Sequence, residues 1–461
     1  MTALWTSAEI AEATGGVASA PFVVTGVSFD SREVGVGDLF VAMPGSALDG
    51  HRFVDAAFAA GAAAAMVSKA VDGPHIRVAD TAAALDALAI ASRARTSAKI
   101  VGVTGSVGKT SVKEALADAL ERGARGRVHR SVKSYNNHTG VPLSLARMPR
   151  DCDFAVFEMG MNHAGEIAAL TRLVRPHVAL VTAIASAHIE NLGSEEAIAD
   201  AKSEIFEGLE PSGVAIIPND SAHRDRLIRA ARHHADRIIS FGGGDADVRA
   251  IHAVSADKGG SLVTAALLES ELTFTVSQRG DHWVANALAV LTVVEALGAD
   301  LAVAGLALAD LGGLKGRGER HAIALDGGEA VLIDESYNAN PASMAATLRS
   351  FGAEPAIGRK IAVLGPMREL GVASDELHAA IAPEVIAAKI DRLILVGDET
   401  LPLEAAIAGR IPVDRASDAD HAARLLAAML RPGDAVLVKA SNSVGLARLV
   451  DQVAGGQPCS M

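Results

Sequence analysis

A chain of 461 residues is longer than one ordinary hydrophobic core, so about two to four domains are expected. Half of the residues are hydrophobic and only 3% aromatic; the apolar content is mainly Ala, Val, Leu and Ile, as in an α/β protein with buried parallel strands. The formal net charge of −13, with no long basic run, argues against a nucleic-acid partner.

Cys152 and Cys459 stand far apart without metal-type spacing, which predicts a reducing compartment and no disulfide framework. The N-terminal MTALWTSAEIAEATGG is polar and acidic, unlike a signal peptide. The longest apolar run, 54–67, is Ala-rich and interrupted by Gly61, and reads as a buried helix-to-strand passage. A cytoplasmic protein without membrane insertion is expected.

Residues 1–97 give short β-branched runs separated by Gly, Asp and Ser, followed by the helical pattern HRFVDAAFAAGA. This is a small α/β module ending near the polar segment 93–99. From Lys99 a strand–helix rhythm begins, with KIVGVTG, DFAVFEMG, HVALVTAI and GVAIIPND as strands. Such alternation predicts a parallel sheet covered by helices on both faces. SLVTAALLE and ELTFTVS read as an antiparallel pair added to it, and VANALAVLTVVEALGA as a long buried helix closing the domain. The glycine-rich segment 310–320 marks a second boundary, and a central domain of 98–314 results. A third rhythm fills 315–461, with strands in EAVLIDES, KIAVLG, RLILVG and AVLVKAS. It is Rossmann-like but lacks G-x-G-x-x-G after its first strand, so no dinucleotide is expected.

The chemistry concentrates in IVGVTGSVGKTS. The general P-loop pattern wants glycine where this chain has Val103. Gly105 and Gly108 nevertheless let backbone N–H groups point inward at a helix N-terminus. Thr104, Ser106, Val107 and Ser111 complete that cradle. Lys109 supplies a charge for the phosphates, and the Thr110 hydroxyl suits a Mg2+ shell. Glu158 ends the next strand, on the rim where parallel sheets bind ligands. His188 follows a further strand on the same rim, where a structural histidine is as good a reading. Lys202 lies on an amphipathic helix, where pattern alone makes it an ordinary solvated lysine. In VLIDESYNANPASM, Asp334 ends a strand, and Asn338 and Asn340 occupy a turn closed by Pro341, a ligand-contact or plain turn signal.

Together these segments resemble the Mur ligases, ATP-dependent amide-forming enzymes of peptidoglycan synthesis. TGSVGKTS is similar to the family's own loop, T-G-[ST]-x-G-K-[ST]. The likeness continues through EMG at 158–160, AHIENLGS at 187–194, AKSEIFEGL at 201–209, Asn286 in HWVANALAV, GRGER at 316–320 and LIDESYNANPASM at 332–344. DSREVGVGDLFVAMPGSALDGHRF, YNNHTGVPLS, NHAGEI and SYNANPASM resemble the member type that joins D-Ala-D-Ala to UDP-MurNAc-tripeptide. A ligase adding the third residue would carry D-N-P-R, and a GTPase switch N-K-x-D; neither segment occurs.

The resemblance implies a three-domain α/β architecture: an N-terminal domain for the UDP end, a central ATPase domain, and a C-terminal domain for the incoming dipeptide and part of the nucleotide. It implies ATP and Mg2+, with Lys109 and the loop amides on the phosphates. Thr110 and Glu158 would bind Mg2+, His188 a second Mg2+, and Lys202 would carry a carbamate that helps position metal. Asn286, Arg317, Asp334 and Asn338 would meet the nucleotide. Ser31, Arg32, Asp49, Gly50 and His51 would receive the UDP end; Asn136, Asn137, Thr139, Tyr337 and Asn340 would contact the rest of the substrate. A monomer is expected, hinged near 312–318. Two segments depart from the family pattern, with Pro366 where aspartate is usual and Ala440 where glycine is usual, both on the expected dipeptide side.

Overall fold

The computed structural model describes residues 3–45, 49–187, 189–256 and 259–455. Three principal sheets organise the chain. In the N-terminal sheet the order is Val17–Ala18, His75–Arg77, Ala64–Val67, Asp38–Val41, Gly26–Ser28, parallel except for the first pair. The helix Thr81–Ala94, capped by the Asp80 carboxylate, carries the chain into the central domain. Its buried Arg93 donates Nε to Val174 O at 2.8 Å and Nη2 to Arg175 O at 2.7 Å, fastening the two modules. Trp5 adds a bond from its indole N–H to Ala146 O at 2.8 Å.

The central sheet has nine strands, in the order Glu271–Val276, Ser261–Ala266, Val248–Ser255, Arg237–Gly242, Val214–Pro218, Val178–Val181, Lys99–Thr104, Phe154–Glu158, Val128–Arg130. The first two pairings are antiparallel and the others parallel, so the expected pair joins one edge of a parallel sheet. Helices cover both faces. Val112, Leu116 and Leu120 pack with Leu288 and Leu291 on one, and Ile167, Leu170, Ile198 and Phe206 fill the other. The helix Asp281–Ala296 does not close this domain as expected. A second helix, Leu301–Ala309, follows it, with Asp300 Oδ1 accepting from Ala302 N and Val303 N.

The C-terminal sheet runs Glu319–Leu325, Gly328–Glu335, Ala435–Lys439, Lys360–Leu364, Arg392–Val396, Val413–Ala416, parallel after its first pair. Its first and last strands, like Val128–Arg130, Arg237–Gly242 and Val248–Ser255, lie outside the runs that the sequence patterns mark.

The central sheet places the glycine loop. Val103 is fully buried between Glu158 and Leu180 on the adjacent strands, so the position that lacks glycine is a core strand residue. The turn begins at Gly105, with φ +148°, where an added Cβ would lie 2.0 Å from Thr182 Oγ1. The Thr182 hydroxyl itself donates to Val107 O at 2.6 Å. Ser106 ties the loop to the same segment, N to Ala183 O at 2.8 Å and Oγ to Ala185 O at 2.9 Å. Gly108, with φ +84°, then starts the helix Lys109–Ala124, and its missing Cβ makes room for Asn286 Oδ1. Gly105→Ala therefore should cost roughly 1–3 kcal/mol of unfolding free energy in a urea titration. Gly123→Ala, in open space on the same helix, should be neutral or stabilise by up to about 1 kcal/mol. Equal effects would contradict this reading of the loop.

Candidate nucleotide and phosphate site

The carboxyl ends of the central and C-terminal parallel strands border one cleft of about 400 Å³. From the central domain it takes the loop residues Ser106, Val107, Gly108, Lys109, Thr110 and Ser111, with Asn136, Asn137, Glu158 and Asn286. From the C-terminal side come Arg317, Tyr337, Asn338 and Asn340. Most of the residues expected at the nucleotide and metal thus meet in one place.

Thr110 stands in the first turn of the helix that follows the strand Lys99–Thr104, and Glu158 ends the strand beside it, so the two side chains meet. Thr110 Oγ1 donates to Glu158 Oε2 at 2.8 Å, and Asn136 Nδ2 donates to Glu158 Oε1 at 2.7 Å. Glu158 is only 1% exposed, so both oxygens are held by neighbours rather than water. A hydroxyl and an oriented carboxylate are the hard oxygen donors that a small divalent cation takes.

Lys109 curls back to donate Nζ to Gly105 O at 2.6 Å. Burial lowers the pKa of this ammonium, Glu158 opposes the shift, and Arg317 reinforces it. Lys202 is not the solvated lysine its helical pattern suggested. It is 1% exposed and lies in the field of Lys109. Burial, and then Lys109, push its pKa well below the ordinary lysine value. Arg317 crosses from the other side, its guanidinium 4.2 Å from the centroid of the Tyr337 ring.

Several expected contacts take a different form. Asp334 does not line the cleft. Fully buried, it accepts from Gly316 N at 2.9 Å and Ser336 N at 3.0 Å, and thereby shapes the turn that presents Arg317. Asn340 borders the cleft but caps the helix Pro341–Gly352, with Oδ1 accepting from Ser343 N at 2.9 Å. Asn137 Oδ1 accepts from Gly140 N and from Thr139 Oγ1, so Thr139 serves the start of the helix Gly140–Ala146 and lies outside the cleft lining. Thr104 and Gly105 are buried and do not line the cleft. His188 lies outside the described residues.

The N-terminal candidates form a separate group. Asp49 accepts from His51 N at 3.0 Å and Lys69 Nζ at 2.9 Å; Lys69 first, then His51, hold its carboxyl well below the usual range. His51 Nε2 accepts from Ser68 N at 2.9 Å, so the ring proton sits on Nδ1, facing Asp49. Gly50 has no room for a side chain, since a Cβ would strike the Met43 backbone at 2.6 Å. Arg32 is exposed and forks onto Asp30, next to Ser31. Glu33, which the sequence patterns passed over, links this group to the central domain through Tyr135 Oη at 3.0 Å and through Lys133.

Thr182, His282 and Lys439 were likewise not singled out in the sequence. His282 offered a signal: it stands four residues before Asn286 on one helix, hence on the same face, and both line the cleft. Burial lowers its pKa below the ordinary imidazole value.

Comparison with known proteins gives this geometry a context. Residues 23–101 match the Mur ligase family catalytic domain, 103–294 the Mur ligase middle domain, and 316–442 the Mur ligase glutamate ligase domain. The chain is 35% identical to the UDP-N-acetylmuramoyl-tripeptide–D-alanyl-D-alanine ligase of Synechocystis, over 95% of this chain and 94% of that one. It is 36% identical to the Escherichia coli enzyme of the same name, over 84% of each. Its structure resembles MurF from Acinetobacter baumannii, with a TM-score of 0.84, 29% identity, and 98% and 99% of the two chains covered. It also resembles MurF from Thermotoga maritima in complex with ADP, with a TM-score of 0.77, 28% identity, and 94% and 97% covered. Spanning all three sheets, these likenesses agree with the loop, the rim carboxylate and the cation pair: the chain belongs to the Mur ligase family.

Proposed function

We propose that the protein joins D-Ala-D-Ala to UDP-MurNAc-tripeptide at the expense of ATP, releasing ADP and phosphate. The observation that carries this reading is the cleft between two sheets that gathers the glycine loop, Lys109, Glu158 and Arg317, set in a chain similar to ligases of that name over nearly its whole length.

A carboxylate is a weak electrophile, so its oxygen first takes the γ-phosphoryl group and gives an acyl phosphate. The dipeptide amine then attacks the acyl carbon and loses its proton, and phosphate departs with the former carboxylate oxygen. Lys109 and the amides of the glycine loop hold the phosphate oxygens. Arg317, stiffened by Tyr337 and carried on the turn that Asp334 shapes, adds charge from the opposite wall. Asn286 and Asn338 meet the nucleotide. Thr110 and Glu158 are the residues that would hold Mg2+, which when bound offsets the charge gathering on the transferring group. His188 carries the role of a second metal ligand by resemblance alone. Closure of the two domains around the substrates would shield the acyl phosphate from water.

The environment of Lys202 suits a carbamate. Its depressed pKa leaves a fraction of neutral amine, the form that adds CO2, and the product anion would face Lys109. Ser31, Arg32 and the Asp49–Gly50–His51 latch take the UDP end; Asn136, Asn137, Thr139, Tyr337 and Asn340 form the course of the muramoyl peptide, the last two by framing the wall. Pro366 and Ala440 belong to the dipeptide side, where the wall is tight: a Cβ on Gly365 would lie 2.8 Å from the Ala440 methyl. No helix among the described residues is long and apolar enough to cross a membrane, and the reading places the protein in the cytoplasm as a monomer.

Phosphate release should require ATP, UDP-MurNAc-tripeptide and D-Ala-D-Ala together; release that needs neither peptide would overturn the ligase reading. For Lys202, protein equilibrated with 13C-bicarbonate should show a carbamate carbon resonance that Lys202→Ala lacks. The variant should also lose at least roughly a hundredfold in kcat. A wild-type spectrum without that resonance would dismiss the carbamate.

A further inference from the structure

Lys439 ends the strand Ala435–Lys439, whose other residues are all buried and, apart from this lysine, apolar. It is itself 2% exposed, yet it keeps an ammonium at the cleft wall. Burying such a charge costs several kcal/mol before its partners compensate. A methionine of similar length would fill the space without that cost, so packing gives no reason for a lysine here.

Its partners supply the reason. Nζ donates to Asn338 O at 2.9 Å and approaches Glu335 Oε2 at 3.3 Å. Glu335 is its direct neighbour on the adjoining strand, and Asn338 is the tip of the turn that faces the glycine loop. The neighbouring residues of the turn are tied elsewhere: Ser336 N donates to Asp334 Oδ1 at 3.0 Å, Tyr337 N reaches Gly316 O at 3.1 Å, Ser441 Oγ donates to Ala339 O at 3.4 Å, and Asn340 is occupied with its helix cap. The Asn338 carbonyl is the point that Lys439 holds. The backbone around Lys439 is anchored at the same time. Its carbonyl accepts from Gly365 N at 2.9 Å, and Ser441 N donates to Pro366 O at 3.1 Å. One junction therefore holds the turn from below and rests on the segment that departs from the family pattern.

We propose that Lys439 is a positioning residue that fixes the Asn338 turn against the glycine loop and so sets nucleotide affinity. The inference rests on the ligase reading only for its substrates; the placement of the turn stands on the contacts above. ADP titration of the full-length protein, in parallel with steady-state kinetics, tests it. Lys439→Met should weaken ADP binding by roughly tenfold to a hundredfold, the loss of one buried charged hydrogen bond. KM for ATP should rise in step, and several-fold more than KM for UDP-MurNAc-tripeptide, whose contacts at Tyr337 and Asn340 keep their own ties to Gly316 and the helix cap. Lys439→Arg, which keeps the charge but changes its reach, should give a smaller rise. If the methionine variant does not fold, hydrogen exchange on the arginine variant takes its place, with faster exchange expected at the amides of Ala339 and Ser343. A folded methionine variant with unchanged ADP affinity, an equal rise in both KM values, or unchanged exchange in the arginine variant would each overturn the assignment. A wild type that binds ADP but makes no amide would refute the ligase reading, while the ADP titrations still decide the role of Lys439.

Discussion

Lys109 lies in the field of the buried carboxylate Glu158 and of two further basic side chains, Arg317 and Lys202, where two parallel sheets turn their carboxyl ends toward each other. Such a cluster repels itself, and the low dielectric that strengthens each interaction makes the excess charge costly. It persists because stiff elements hold it: strand ends, a helix N-terminus and a glycine turn pinned by Thr182. A polyanion entering this cleft finds its counter-charges already ordered, so little reorganisation accompanies binding or phosphoryl transfer.

Two domains share the work unequally. The central sheet supplies the phosphate loop and the metal-type oxygens, all set by backbone geometry. The C-terminal sheet supplies Arg317 and the Asn338 turn, each held by a buried charged side chain: Asp334 under the first, Lys439 under the second. Among the described residues the N-terminal domain adds none to the cleft lining, and its Glu33 reaches the central domain at Tyr135 and Lys133. Its Asp49–His51 latch lies apart, as suits a long substrate gripped at one end and reacted at the other.

What was legible in the sequence was mostly local. The glycine loop reads directly because strand, turn and helix follow one another without interruption, and Glu158 because it ends the next apolar run. Lys202 resisted because an amphipathic pattern does not say whether a lysine on its edge meets water or another domain. Asp334 was recognised, but not its place behind the cleft wall, where its carboxylate accepts from Gly316 N, eighteen residues earlier, and from Ser336 N. Lys439 was hidden as the last residue of a buried strand, with partners about a hundred residues away. The strand Val248–Ser255 went unseen because most of it is exposed and lacks alternation, and the helix Leu301–Ala309 because a continuous apolar run shows no periodic face.

The central claim is that the phosphate gathered by this loop is delivered to a peptide carboxylate. Labelling both carboxylate oxygens of the tripeptide's reacting carboxyl with 18O follows that transfer directly. The account predicts that one 18O leaves with each molecule of inorganic phosphate while the other remains in the new amide. Phosphate free of label, formed at the same rate as amide, would contradict it.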